Sequence, residues 1–280
     1  MANNLSSNIT RPLAKIFLEA FESSRVVTKT VNTQLLSGRF NPSTGTKVDF
    51  KRPHDYNSIR TSGGDISGAT KSDIIAGKAT GTVQPYFTSA TEWSNIQEAL
   101  ELDQLEQILE PMARRLVTDL EVDLGKFMRI NTGLNYGARG TAVDAWSDVA
   151  GAGAMMDSTG VPMSDNKYYL MNPFTTTALA SAQSGLNAAD GLVRTAFEKA
   201  QIASNFGGMK ALTSNALSSY TSGTTTDRSG DLKAAPDATY VTAKDTMQQT
   251  MVIQTLGSGT IEAGDQIQVA GVNRLNIATR

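Results

Sequence analysis

Apolar residues at Ile96, Leu100, Leu105, Ile108, Leu109, Met112, Leu116, Leu120, Leu124, Phe127 and Met128 recur at steps of mostly three and four. That spacing lines one face of an α-helix. It predicts a single long amphipathic helix from Trp93 to Asn131, with Pro111 expected to kink or break it because proline removes a backbone donor and crowds the preceding turn. A shorter stripe of Leu13, Ile16, Phe17, Ala20 and Phe21 predicts a helix on an N-terminal arm, capped by Thr10 with Pro12 in its first turn. The pattern alone leaves open whether this helix packs on its own chain or on another subunit.

Between the two helices the pattern changes. Gly38 to Gly81 holds seven glycines, many Ser and Thr, and alternating pieces such as Thr46-Lys47-Val48-Asp49-Phe50. A structureless loop of that length is improbable inside a compact domain, so the segment is expected to be a functional arm or a β-hairpin. Beyond Asn131 a Gly-rich turn leads to a predicted helix at Val143–Met156. Lys167–Met171 reads as a buried strand, ended by Asn172-Pro173, which is a turn and a good helix start. A further helix is predicted over Asp190–Ser204, with Val193, Ala196, Phe197 and Ala200 on one side. Strands alternating with helices imply an α/β layer. From Ser218 to Gly230 the chain is almost wholly Ser, Thr, Gly and charge, a linker composition. Then come strand signals at Thr239–Thr242, Met251–Thr255 and Gln266–Val269, which predict a small β module opening near 223.

Charge adds a second pattern. In the Gly38–Gly81 segment Arg39, Lys47, Lys51, Arg52, Arg60, Lys71 and Lys78 outnumber Asp49, Asp55, Asp65 and Asp73. From Glu92 to Asp123, nine carboxylates face only Arg114 and Arg115. A basic arm and an acidic helix on one polypeptide are complementary surfaces that repeated copies can match, although single surface ion pairs are weak. The candidate contact residues are Lys47, Lys51, Arg52 and Arg60 on the arm, and Glu98, Glu101 and Glu106 on the helix. The whole chain, 280 residues with a formal charge of −2, exerts no global pull on nucleic acid or membrane. With no cysteine it has neither a disulfide framework nor thiolate metal ligands. No apolar run reaches the length of a membrane span, and Met1-Ala2-Asn3-Asn4 lacks the regions of a signal peptide, so a soluble product of a reducing cytoplasm is expected.

Catalytic constellations are not found. The single histidine, His54, sits between Pro53 and Asp55 in the arm, where a solvated loop residue is expected rather than a relay or zinc ligand. Glu98, Glu101 and Asp103 have the spacing of a solvent or partner face, not of an acid/base pair. Gly151-Ala152-Gly153 lacks the third glycine of a dinucleotide fingerprint. Trp93 and Trp146 are expected to be core or interface anchors. No enzyme activity and no cofactor are expected.

In order, the parts resemble the major capsid (coat) proteins of tailed phages, the Hong Kong 97-type fold, and within them the short-tailed-phage coat family that carries an insertion domain. The resemblance rests on Ala142-Val143-Asp144-Ala145-Trp146-Ser147-Asp148-Val149-Ala150, on Tyr168-Tyr169-Leu170-Met171-Asn172-Pro173, on Gly207 to Leu217, and on Ala263 to Val272, standing in that order behind the arm and long helix. It implies an α+β fold: an N-terminal arm (1–37), an extended loop with the entry to the peripheral domain (38–90), a peripheral-domain spine helix (91–132), an axial domain (133–222) and a β insertion domain (223–280, incomplete). The implied role is self-assembly into an icosahedral shell around a double-stranded DNA phage genome, in pentamers and hexamers. Scaffolding and portal proteins are the implied partners, with no sequence-specific DNA binding and no membrane. A capsid location after assembly in the host cytoplasm follows. The competing reading is another phage structural protein, a tail or surface-layer subunit. Coats of this type return from the insertion domain to complete their sheets, so the chain is expected to continue beyond Arg280 or to be completed by a neighbour, since an open sheet edge invites aggregation.

Overall fold

The computed structural model describes residues 6–31, 47–51, 58–71, 77–84, 87–90, 105–137, 140–185, 198–224, 230–235, 250–254, 258–273 and 276. The protein is mixed α and β. Contacts divide it into two compact units, one of Met1–Thr33, Phe87–Ser222 and Glu262–Arg280, the other of Gln34–Tyr86 and Gly223–Ile261.

In the first unit, helix α1 (Ser6–Ser24) packs along helix α2 (Leu105–Asn131). Helix α1 opens one turn before Thr10, so Pro12 lies inside it rather than in its first turn. The N-terminal part of the expected long helix, 91–104, lies outside the described residues. Pro111 does not break α2, which runs through it without interruption. One proline costs the helix a single hydrogen bond, and the packing of α1 along the following turns holds the backbone on course. The line of α2 that is most buried is Ala113, Val117 and Glu121, at 0%, 1% and 2% exposure. The predicted stripe is displaced from it by one position: Met112, Leu116, Leu120 and Leu124 are half-buried, and Phe127 is 63% exposed. Small and β-branched side chains at the contact let two helix backbones approach closely, and the longer leucines flank them.

The rest of the core lies around a three-stranded sheet of order β3-β5-β4, made of β3 (Tyr168–Met171), β4 (Asn205–Phe206) and β5 (Met209–Thr213). Strands β3 and β5 are parallel, with Tyr168 opposite Lys210 and Met171 opposite Thr213. A parallel pair needs a crossover connection, and here it begins with α4 (Pro173–Gly185). Asn172 starts that helix as the sequence anticipates: its side-chain oxygen accepts the Thr175 N–H at 2.7 Å. Helix α3 (Trp146–Ser158) begins three residues later than its periodicity predicts, where the Asp148 carboxylate accepts the Ala145 N–H at 3.3 Å. Its Trp146 is half exposed. Val149, Met171, Leu179, Phe206 and Met209 form the buried cluster. Gly207 and Gly208, with φ of 59° and 80°, make the two-residue turn between β4 and β5. Two successive positive φ values fit the tight hairpin turn, and a Cβ on Gly207 would stand 3.0 Å from the Ala150 nitrogen.

Two predicted elements end differently. The helix expected over Asp190–Ser204 stops by Ala200, whose φ is 48°, and residues 200–204 are not helical; residues 190–197 lie outside the described residues. The Gln183 side chain inside α4 accepts the Ala203 N–H at 3.2 Å, a tertiary bond that competes with helical continuation. Gln266–Val269 is irregular rather than a strand.

In the second unit, β1 (Lys47–Lys51) and β2 (Lys78–Thr82) form an antiparallel hairpin, Lys47 opposite Thr82 and Lys51 opposite Lys78. Elsewhere in this unit a bridge joins Leu232 and Ile253, so Met251–Thr255 forms no regular strand among its described residues. The strand expected at Thr239–Thr242 lies outside the described residues.

Candidate subunit-contact surfaces

The hairpin separates its chemistry by strand alternation. Lys47, Asp49 and Lys51 share one exposed face with Lys78, Thr80 and Thr82 across the ladder, while Val48 and Phe50 point the other way and are half-buried. Asp49 sits at the centre of the charged face, accepting from Thr80 Oγ1 at 2.5 Å and Lys78 Nζ at 3.2 Å. Those two hydrogen bonds hold its carboxyl below the ordinary carboxylate value, the Thr80 bond contributing most. The pair is exposed, so its contribution to stability is small. It leaves Lys47 and Lys51 as the surplus cations of the face. Arg60 and Lys71, in the same segment, are exposed as well. Among the described residues none of these four makes an ion pair.

Helix α2 handles charge differently. Arg114 pairs with Glu110 at 2.5 Å and Arg115 with Asp119 at 3.1 Å, both one turn apart, so the two arginines are neutralised along the helix itself. Glu106 lies on the first turn of α2. Arg52, Glu98 and Glu101 lie outside the described residues. Lys47, Lys51 and Arg60 therefore belong to one compact unit and Glu106 to the other, and no described contact within this chain brings the seven together.

Glu121 is the residue the charge count misplaces. Grouped by sequence with the acidic surface, it is only 2% exposed. One carboxylate oxygen accepts the N–H of Val26 and, at 3.3 Å each, the N–H and hydroxyl of Thr28. These groups open the 3-10 turn Val27–Lys29 that follows α1. Orphan donors at the start of a helical turn need such an acceptor. The available signal is the row Ala113-Val117-Glu121, three residues one turn apart that share a face. A cleft of about 310 Å³ opens beside it, lined by Ser24, Thr118, Pro173 and Ser214 among others. Among the described residues that line it, Glu121 is the single titratable one, and its hydrogen bonds to the turn occupy it structurally. His54 lies outside the described residues. Among the described residues no group of His, Asp or Glu is arranged to hold a metal ion, and no helix is long and apolar enough to cross a membrane.

The described residues thus offer an exposed basic ribbon in one unit and, in the other, a long helix with a half-buried apolar stripe. Comparison with known proteins identifies the family. The family described as P22 coat protein, gene protein 5, matches residues 1–280. The major capsid protein of Acyrthosiphon pisum secondary endosymbiont phage 1 is 46% identical over 279 residues, covering 99% of this chain and 66% of that protein. The chain thus spans just under two thirds of the length of this curated relative. With a family match running through every element described above, the chain belongs to the P22 coat protein family of phage major capsid proteins.

Proposed function

We infer that this protein is the building subunit of an icosahedral phage shell enclosing double-stranded DNA. The observation that carries the reading is the match to a coat family across residues 1–280. On this reading the fold is of the Hong Kong 97 type: residues 1–37 are the arm, 38–90 the extended loop with the entry to the peripheral domain, 91–132 the spine of the peripheral domain and 133–222 the axial domain. A small insertion domain opens at about 223. The compact units qualify its far end, because the chain from Glu262 onward groups with the first unit.

Copies of the chain would associate as pentamers and hexamers, assisted by scaffolding and portal proteins, in the host cytoplasm. Lys47, Lys51, Arg52 and Arg60 of one copy would face acidic helix residues including Glu98, Glu101 and Glu106 of the next. Charge complementarity supports this pairing, since repeated weak ion pairs add up across a shell where single ones do not. The genome would be enclosed without sequence-specific contacts, consistent with a net charge of −2. No catalytic step and no cofactor belong to this role. Negative-stain microscopy of the purified protein tests it: closed particles tens of nanometres across support a shell, whereas filaments or dispersed monomers overturn it.

A further inference from the structure

The chain leaves the first unit after Ser222 and re-enters it at Glu262. Both connections are tied to the same helix end. Arg129, in the last turn of α2, donates from Nη1 to the Ser219 carbonyl at 2.7 Å and lies 4.8 Å over the ring of Tyr220. A cation is favoured there by the helix dipole, and the stacked guanidinium adds a cation–π contact. The Tyr220 hydroxyl in turn donates to the Asp265 carboxylate, on the returning connection. The other oxygen of Asp265 accepts the Glu262 N–H at 2.9 Å, and the Asp265 N–H reaches back to the Glu262 carbonyl at 2.9 Å, closing a tight turn. Gly264 in that turn has φ of 101°, and a Cβ there would meet the Tyr220 ring at 3.3 Å and Ile130 at 3.6 Å. The outgoing and returning chains meet again in the second unit, where the Thr224 and Thr260 hydroxyls lie 3.3 Å apart and the Thr260 N–H donates to Thr224 Oγ1.

We propose that Arg129, Tyr220 and Asp265 form a clasp that couples the two connections of the 223–261 excursion, so that both loosen together rather than independently. Arg129 Nε and Ser218 Oγ are buried there without hydrogen-bond partners among the described residues, and unpaired buried polar atoms subtract from the stability of the closed arrangement. The Tyr220–Asp265 bond is the link that joins the outgoing connection to the returning one at the end of α2, and its loss is expected to loosen both.

Hydrogen exchange on the full 280-residue chain tests the clasp. In Tyr220→Phe, amides of both 216–224 and 262–265 are expected to exchange faster by about tenfold or more, the effect of one lost bond on a local opening. Amides of α3 and β3 should change by less than about twofold, since local opening leaves the remaining core intact. Asp265→Asn removes the charged acceptor from the other side and should release the same two segments. The chain has no cysteine, so Thr224→Cys with Thr260→Cys supplies a single disulfide across the two connections, and it should restore protection to both in the Tyr220→Phe background. Faster exchange at one connection only, no change at either, or failure of the disulfide to restore both would overturn the proposal. Loss of protection throughout the α3–β3 core in both variants would also overturn it, by making the cluster a general folding element.

Discussion

The carboxylate of Glu121, in the middle of α2, accepts the backbone N–H of Val26, 95 residues earlier in the chain. Together with Thr28, this bond fixes the turn that leaves α1 against the helix on which α1 packs. A buried acid on an amphipathic helix is thereby a structural clamp and not a member of the charged surface.

Removing that acceptor should be costly. Glu121→Ala strands two backbone donors, and each unsatisfied buried group costs about 1–3 kcal/mol. Two donors give roughly 2–6 kcal/mol by the same accounting, and because Val26 and Thr28 are half-buried the destabilisation is expected in the lower part of that range, read from urea unfolding. Glu121→Gln keeps an acceptor oxygen and should lose less than half as much. Equal losses for the two variants would show that charge, not hydrogen bonding to Val26 and Thr28, is what the site requires.

The basic face should matter only between copies. Reversing Lys51, Arg52 and Arg60 to Glu is expected to abolish or strongly reduce particle formation while leaving the circular dichroism of the unassembled chain unchanged. Lys51 and Arg60 are exposed and make no ion pair among the described residues, so the folded chain loses little by their reversal. Normal particle yield from the triple variant, scored by sedimentation, would remove the arm from the assembly interface.

Lys167, with a side chain only 9% exposed, pairs with Asp157 at the end of α3. Asp157→Ala leaves a buried ammonium without its partner and is expected to cost roughly 2 kcal/mol, less than for a fully enclosed pair because Asp157 is itself 36% exposed. Lys167→Met should cost less than Asp157→Ala, since an apolar chain of similar length fills the space without an uncompensated charge. Denaturation midpoints of the two variants decide the order.

The Tyr169 phenol is raised above its ordinary value of 10.0, first by burial and then by the nearby Asp148 carboxylate. A raised pKa in the folded state means that the folded protein holds its proton where the unfolded chain has released it. Stability from this group is therefore complete below pH 10 and falls as pH rises through the folded value. Tyr169→Phe should flatten that alkaline decline, as followed by unfolding free energy against pH. Asp148→Asn should shift the phenol part of the way back toward its ordinary value in an ultraviolet titration.

Local signals carried much of this protein. Steps of three and four announced α2, alternation over Thr46–Phe50 left a functional arm or a β-hairpin open, and Asn172-Pro173 announced the start of α4, because each signal is a period or a cap within a few residues. The family, too, was legible from the order of short segments. Tertiary structure decided the rest. Which stripe of α2 is buried depends on the close approach of α1, so Ala113 and Val117 are covered while Phe127 is not. The helix end at Ala200 sits beside a turn that a glutamine on α4 holds. The roles of Glu121, Arg129 and Asp265 lie in partners about 90, 90 and 45 residues away along the chain. A hydrogen bond across such a distance leaves no period in the sequence, since what fixes it is the packing of elements and not the spacing of residues within one of them.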